Sequence, residues 1–237
     1  MRGVILQPGY IPWLGFFNQM FLSDLFIYLD DVQFDRRGWR NRNQIRGPHG
    51  AVWLTIPIVQ KGRYNQILKE TKIDNSSNWQ TKHLRSLKHF YSRTRYFVSL
   101  YPQIERILKK EWKFLLDLDV QIINQINQFM GLNVQTEFAS HFHISNHDKT
   151  GRLVEICHKS GINDYISGPL CEDYMDYDQL KAFGINLYLH EYVHPEYPQR
   201  FTPFIPFLSI VDLLFNTGRH GLEILKNSQC LKKFQGN

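Results

Sequence analysis

Four stretches of this chain carry polar and aromatic side chains that a packed core does not need. Gln7, Pro8, Tyr10, Pro12 and Trp13 follow an apolar run at 3–6, and Asp30, Asp31 and Gln33 follow a second run at 25–29. Ser167, Gly168 and Pro169 follow a short run at 164–166. His194, Pro195, Tyr197 and Gln199 follow a longer one at 186–193. If each run is a strand of a parallel sheet, the four sets converge along its carboxyl edge, where open α/β sheets bind ligands. Turn chemistry also places polar residues after strands, so the placement supports a small-molecule site without naming its ligand.

Several of these groups have defined chemistry. Adjacent residues on a strand point to opposite sides, so at most one of Asp30 and Asp31 faces a pocket unless the strand has already ended. A carboxylate there could hold a sugar hydroxyl, an amine or Mg²⁺, act as a general base, or cap a turn. His194, before Pro195 at a strand end, is placed for a general base or a phosphate donor. His83 follows Trp79 by four on a helical pattern, so the two share a face, whereas His89 does not. Any one of these histidines could equally be structural. Arg36, Arg37, Arg40, Arg42 and Arg46, with Trp39 among them, form the densest basic cluster. Guanidinium forks suit phosphate or carboxylate, and a solvated basic loop is the alternative. His141, His143 and His147 stand near Asp148, and a strand would put the first two on one face. No second ligand pair accompanies them, so no metal is expected. GxSxG, P-loop and GxGxxG patterns are absent, and no cofactor is specified.

The elements that must position these groups alternate. Residues 3–6 read as a strand, 13–23 as a helix and 25–29 as a second strand, a β-loop-α-β unit of the roughly 30 residues a right-handed crossover needs. A polar stretch at 35–49 precedes a third strand at 52–59, where Pro57 suggests an edge or an end. Residues 77–91 and 100–130 read as helices, the second breaking near Lys113, and 137–145 reads as a strand. Helices at 152–161, 178–184 and 208–218 then alternate with strands at 164–168 and 186–194. The predicted fold is α/β: a mostly parallel, Rossmann-like sheet flanked by helices, with a helical insertion at about 77–130, all in one domain spanning 1–237.

Composition sets outer bounds. With 237 residues, 43% hydrophobic and 21% charged, the chain should bury a sizeable core. The 17 Phe, 12 Tyr and 5 Trp exceed ordinary core needs and suit a pocket that shapes an organic ligand. A net charge of +6 is mildly basic, without a nucleic-acid-binding signature, so a local anion site is favoured over nucleic acid. Three cysteines without a CxxC pair fit a reducing cytoplasm, and Cys157 falls on the apolar face of its helix. No run approaches the ~20 apolar residues of a membrane span, and the N-terminus lacks a signal peptide's apolar core.

The same stretches resemble a known family. QPGYIPWLGFF, LDDVQF, WRNRNQI, WLTIPI, WQTKH with Tyr91, LVEICHKSGINDYISGP, HPEYPQ and LSIVDLLFNTG are similar, in order, to the WbqC-like proteins. The resemblance marks Gln7, Tyr10, Trp13, Asp31, Gln33, Arg42, Asn43, His83, Ser167, His194, Tyr197 and Gln199. It implies a role in O-antigen or other bacterial surface-polysaccharide biosynthesis. The expected activity is an amide-forming acyl or aminoacyl transfer to an amino sugar or another amine, with His83, His194 or Asp31 as the base and Arg42 on a phosphate-bearing handle. Implied partners are a small-molecule substrate and a nucleotide sugar or a carrier-protein-bound acyl donor. The N-terminal order also looks like pantothenate synthetase and the nucleotidylyltransferases. Trp13-Leu14-Gly15-Phe16 stands where that group carries two histidines, while Gln33 still fits a substrate role. A nucleotidylyltransferase or ATP-dependent ligase, or a non-catalytic subunit of a glycan-assembly complex, are the alternatives.

Overall fold

The computed structural model describes residues 1–146, 148–228 and 231–234. The first apolar run forms β1 (Arg2–Leu6), whose three inner residues are buried. A strand covered on both faces needs apolar side chains throughout, which is why this run does not alternate. After a loop, α1 (Leu14–Leu22) returns the chain to β2 (Leu25–Tyr28), parallel to β1 with Gly3 opposite Leu25.

The polar stretch that follows contains a strand that apolar patterning did not reveal. β3 (Arg42–Gly47) pairs antiparallel with β4 (Gly50–Thr55) as a two-stranded unit separate from the main sheet. Ile45 is the only large apolar residue of β3, so no period-2 signal exists. The strand expected at 52–59 is β4, and it stops before Pro57.

The helical segment comprises α2 (Trp79–Tyr91), α3 (Phe97–Leu108) and α4 (Leu115–Met130), so the expected break lies between 108 and 115. The chain then forms β5 (Gln135–Phe138), parallel to β2. This strand is shorter than the 137–145 pattern implied. Its partner ends at Tyr28, opposite Phe138, so further residues would have no ladder to join. Ala139–Phe142 instead form a 3-10 turn, and His143 adopts a φ of 50°. His141 and His143 therefore do not share a strand face, and His147 lies outside the described residues. Among the described residues, no three His, Cys, Asp or Glu side chains could hold a metal together.

α5 (Lys149–Ser160), capped by Asp148 and closed by left-handed Gly161, carries the chain across β1 to β6 (Asp164–Ser167). α6 (Tyr177–Ala182) leads to β7 (Asn186–His190), parallel to β6. α7 (Ile210–Thr217) and α8 (Gly221–Lys226) precede β8 (Leu231–Lys233), the antiparallel edge strand. The sheet order is β5-β2-β1-β6-β7-β8. Winding reverses about β1, so the boundary of β1 and β6 is a topological switch point, where a crevice is expected.

Strand side chains alternate between two cores. Val4, Phe26, Tyr28 and Ile166 pack with α1–α4 and α7, whereas Ile5, Ile27, Tyr165 and Leu187 pack with α5 and α6. Cys157 belongs to the second core, and burial raises its thiol pKa to about 12. The result is an α/β sandwich, Rossmann-like and mostly parallel, as the alternation of elements implied. Among the described residues no helix is long and apolar enough to cross a membrane.

Candidate functional site

A cavity of about 350 Å³ opens beyond the carboxyl end of β1, lined by Leu6, Gly9, Pro12, Trp13, Phe16, Gln19, Trp39, Arg40, Asn43 and Phe207. Its frame is the 7–13 loop, held from two sides. From the 39–43 side, Tyr10 N–H donates to the Arg40 carbonyl (2.9 Å), Arg40 Nη1 to the Gln7 carbonyl (2.6 Å) and Asn43 Nδ2 to the Ile11 carbonyl (2.9 Å). From the α7 side, Ser209 Oγ donates to the Ile11 carbonyl (2.7 Å) and Ile210 N–H to the Pro12 carbonyl (2.9 Å). Gly9 permits the first contact, because a Cβ there would lie 2.7 Å from the Trp39 carbonyl oxygen. Ile11 and Phe207 both have positive φ (38° and 59°), backbone strain of the kind that collects at binding sites.

The cavity is aromatic with a few polar groups, the usual make-up of a small-molecule site. Trp13 and Phe207 form one wall, their ring centroids 5.9 Å apart. Trp39 lines the cavity and packs on Trp53 at 4.7 Å. The charge comes from Arg40. One of its nitrogens serves Gln7, and its buried Nε has no hydrogen-bond partner. Desolvation pulls its pKa down, while Asp35 and the buried Asp119 oppose the shift. Among the described residues, none of Arg36, Arg37, Arg40, Arg42, Arg46 and Arg63 is in an ion pair. An anionic ligand group would therefore meet guanidinium groups that no carboxylate contacts directly, although Asp35 and Asp119 act on Arg40 from further away.

His194 stands behind the Phe207 wall, its ring 5.0 Å from that of Phe207. Its Nδ1 lies 2.9 Å from the Pro195 carbonyl oxygen, which can only accept, so Nδ1 carries the proton. That leaves a lone pair on Nε2, which is buried and without a partner among the described residues. Burial lowers the pKa of the ring, favouring the neutral base. His194 does not sit at the strand end as expected: β7 stops at His190, and the 191–207 loop carries it. Tyr197 and Gln199 anchor that loop. Tyr197 Oη and Gln199 Nε2 each donate to Asp212 Oδ2 at 2.9 Å, and Tyr91 Oη donates to Asp212 Oδ1 at 2.8 Å. Arg46 N–H donates in turn to Tyr91 Oη at 2.7 Å, joining β3 to α7.

Of the twelve residues singled out from the sequence, Trp13 and Asn43 line the cavity, and Gln7 lies between two lining residues with its Oε1 buried and unpartnered. Tyr10 and His83 sit deeper. His83 is 4% exposed, its Nδ1 is 2.9 Å from Tyr10 Oη, and the Trp79 ring meets it edge-on at 5.3 Å. Burial takes the His83 pKa down to about 4 and raises that of Tyr10. β2 ends at Tyr28, so Asp30 and Asp31 both lie in the following loop. Asp31 pairs with Arg152 at 2.5 Å, while Asp30 accepts from the Ser140 N–H (2.9 Å) and Oγ (2.7 Å). Arg42 is committed to the loop before it, with Nε on the Gly38 carbonyl (3.1 Å) and Nη2 on the Arg37 carbonyl (2.8 Å). Ser167 ends β6, and Gln33 lines a separate depression with Arg36, Arg37 and Tyr64. The sequence patterns did not single out Gly9, Phe16, Gln19, Asp119, Phe207 or Asp212, and named Arg40 only as a member of the basic cluster. The signal for Asp212 was a lone carboxylate within the apolar run SIVDLLF, and for Asp119 one of two carboxylates within LLDLDV.

Fold and cavity together define a doubly wound α/β protein with a ligand-sized pocket at its switch point. The chain belongs to the WbqC-like protein family, which it matches over residues 7–224. It is also similar to an uncharacterized protein of Mycobacterium tuberculosis (strain ATCC 25618 / H37Rv). The two are 33% identical over 224 residues, covering 94% of this chain and 96% of that protein. No solved structure matches it significantly.

Proposed function

We propose that this protein is a biosynthetic transferase that forms an amide, moving an acyl or aminoacyl group onto the amine of an amino sugar or a similar small molecule. The setting is bacterial surface-polysaccharide (O-antigen) or related biosynthesis in the cytoplasm. The acyl group arrives on a carrier protein or another activated handle, and a nucleotide sugar is the favoured acceptor. One observation carries the proposal: an aromatic cavity at the switch point holds an unpaired guanidinium, with a neutral imidazole behind its wall. The aromatic walls suit a sugar or another organic group, and Arg40 suits an anionic handle. The free, buried thiols of Cys157 and Cys171 agree with a reducing compartment.

In the proposed step the amine nitrogen attacks the acyl carbonyl carbon, a C–N bond forms, and the bond from that carbon to the leaving group breaks. Once the exposed Phe207 ring turns aside, His194 Nε2 takes the proton from the attacking nitrogen and returns it to the leaving group. Of the three bases named from the sequence, His194 is preferred because its acceptor nitrogen is unoccupied. His83 is hydrogen-bonded to Tyr10, and Asp31 is paired with Arg152.

The test is incubation with nucleotide amino sugars and acyl or aminoacyl thioesters, read by mass spectrometry. The expected product carries the acyl group on the amine, and His194→Ala slows its formation by about 10²–10⁴-fold. Absence of any adduct, together with absence of binding by either substrate class, overturns the proposal.

A further inference from the structure

The loop at 35–40 separates two openings. Trp39 and Arg40 face the cavity, whereas Asp35, Arg36 and Arg37 line an open depression of about 660 Å³ with Gln33, Phe34 and Tyr64. Nothing in the proposed transfer uses this depression. Its shape is built locally: Arg37 N–H donates to Asp35 Oδ1 (3.0 Å), and a Cβ at Gly38 would lie 2.2 Å from Asp35 Oδ2. The Asp35 carboxylate thus folds back into its own turn. Arg36 is fixed by its Nη2 on the Arg63 carbonyl (2.9 Å) and stacks on Tyr64 at 4.5 Å. The Arg36 Nε is buried without a hydrogen-bond partner. Among the described residues neither Arg36 nor Arg37 is ion-paired, and Tyr64 is 72% exposed.

An exposed aromatic ring beside two guanidinium groups that outnumber the one carboxylate, Asp35, suits a flat base joined to phosphates. We propose that this depression is a second subsite, which takes a nucleoside diphosphate. Tyr64 stacks on the base, Arg36 and Arg37 bind the phosphates, and the attached organic group passes the 35–40 loop into the cavity behind Trp39. This subsite deepens the transferase proposal and rests on it. Both a nucleotide sugar and an acyl-coenzyme A thioester carry a nucleoside diphosphate, and the loop lets either one span the two openings.

The experiment is isothermal titration of the full chain with UDP, coenzyme A, pyrophosphate and uridine. UDP or coenzyme A is expected to bind, and uridine far more weakly. Arg36→Ala and Arg37→Ala should each weaken binding about tenfold. Tyr64→Ala should weaken UDP or coenzyme A but not pyrophosphate. Arg93→Ala removes an exposed arginine outside the depression and should change nothing. Tighter binding of UDP assigns the subsite to a nucleotide sugar, and tighter binding of coenzyme A to an acyl thioester. Failure of both to bind at millimolar concentration, or binding indifferent to Arg36→Ala and Arg37→Ala, overturns the subsite. Tight nucleotide binding without product leaves the subsite standing and removes the transfer. Product from donors and acceptors that lack a nucleotide, without nucleotide binding, does the reverse.

Discussion

Replacing His83 by glutamine tests how the 7–13 loop is held. His83 and His190 are 4% and 2% exposed, and burial brings each from 6.5 to about 4. A histidine depressed in the folded state binds protons more readily when unfolded. Its stabilising effect is therefore complete above pH 6.5 and is lost as pH falls towards 4. For a shift of this size, linkage gives a loss of about 2 kcal/mol per histidine between pH 7 and pH 5. Wild type should thus lose about 4 kcal/mol from the pair over that interval, and His83→Gln about half as much. Glutamine can still hydrogen-bond Tyr10 Oη, so the pH slope isolates the titration from the lost ring contacts. The assay is urea denaturation at pH 7 and pH 5, comparing midpoints at constant m-value. Equal pH slopes for wild type and variant would refute the assignment of His83 as a neutral buried brace.

Asp212→Ala strands three donors, from Tyr91, Tyr197 and Gln199. It should cost about 3–5 kcal/mol in denaturant melts, and Asp212→Asn less. Gly9→Ala drives a methyl group against the Trp39 carbonyl, which is backbone and cannot rotate aside. A loss of about 1–3 kcal/mol is expected, with weaker ligand binding as the 39–43 segment shifts. The His194 pKa lies below its ordinary value because of burial, and only the neutral ring is a base. The acid limb of kcat/KM should therefore inflect below pH 6.5, activity falling as pH drops through it. A limb above that value would exclude His194 as the base.

The sheet was legible because its strands are buried on both faces: GVIL and LFIY admit no reading as surface helices. Glycine stops at Gly161 and Gly184 marked helix ends for the same local reason, a positive φ. β3 was hidden because Asn43 and Arg46 take buried positions that a pattern search assigns to apolar residues. Asn43 Nδ2 donates to the Tyr10 and Ile11 carbonyls, and the two terminal nitrogens of Arg46 to those of Gly47 and Pro203. Of the four sets of residues expected to converge after the strands, only the first lines the cavity, through Pro12 and Trp13, and Asn43 reaches it from within β3. Phe207 was not singled out, and Arg40 only within its basic cluster, because their place depends on loop contacts between segments far apart in sequence. Tyr197 and Gln199 share the polar character of ligand-binding residues, but they are spent on Asp212.

The central claim is that the cavity at the end of β1 receives the molecule that is acylated. The most direct measurement is a crystal soaked with a nucleotide amino sugar. The sugar should lie in the cavity between Trp13 and Trp39, within reach of Arg40 and against the Phe207 ring that separates it from His194. Ordered sugar elsewhere on the molecule, with the cavity between those indoles left to solvent, would contradict it.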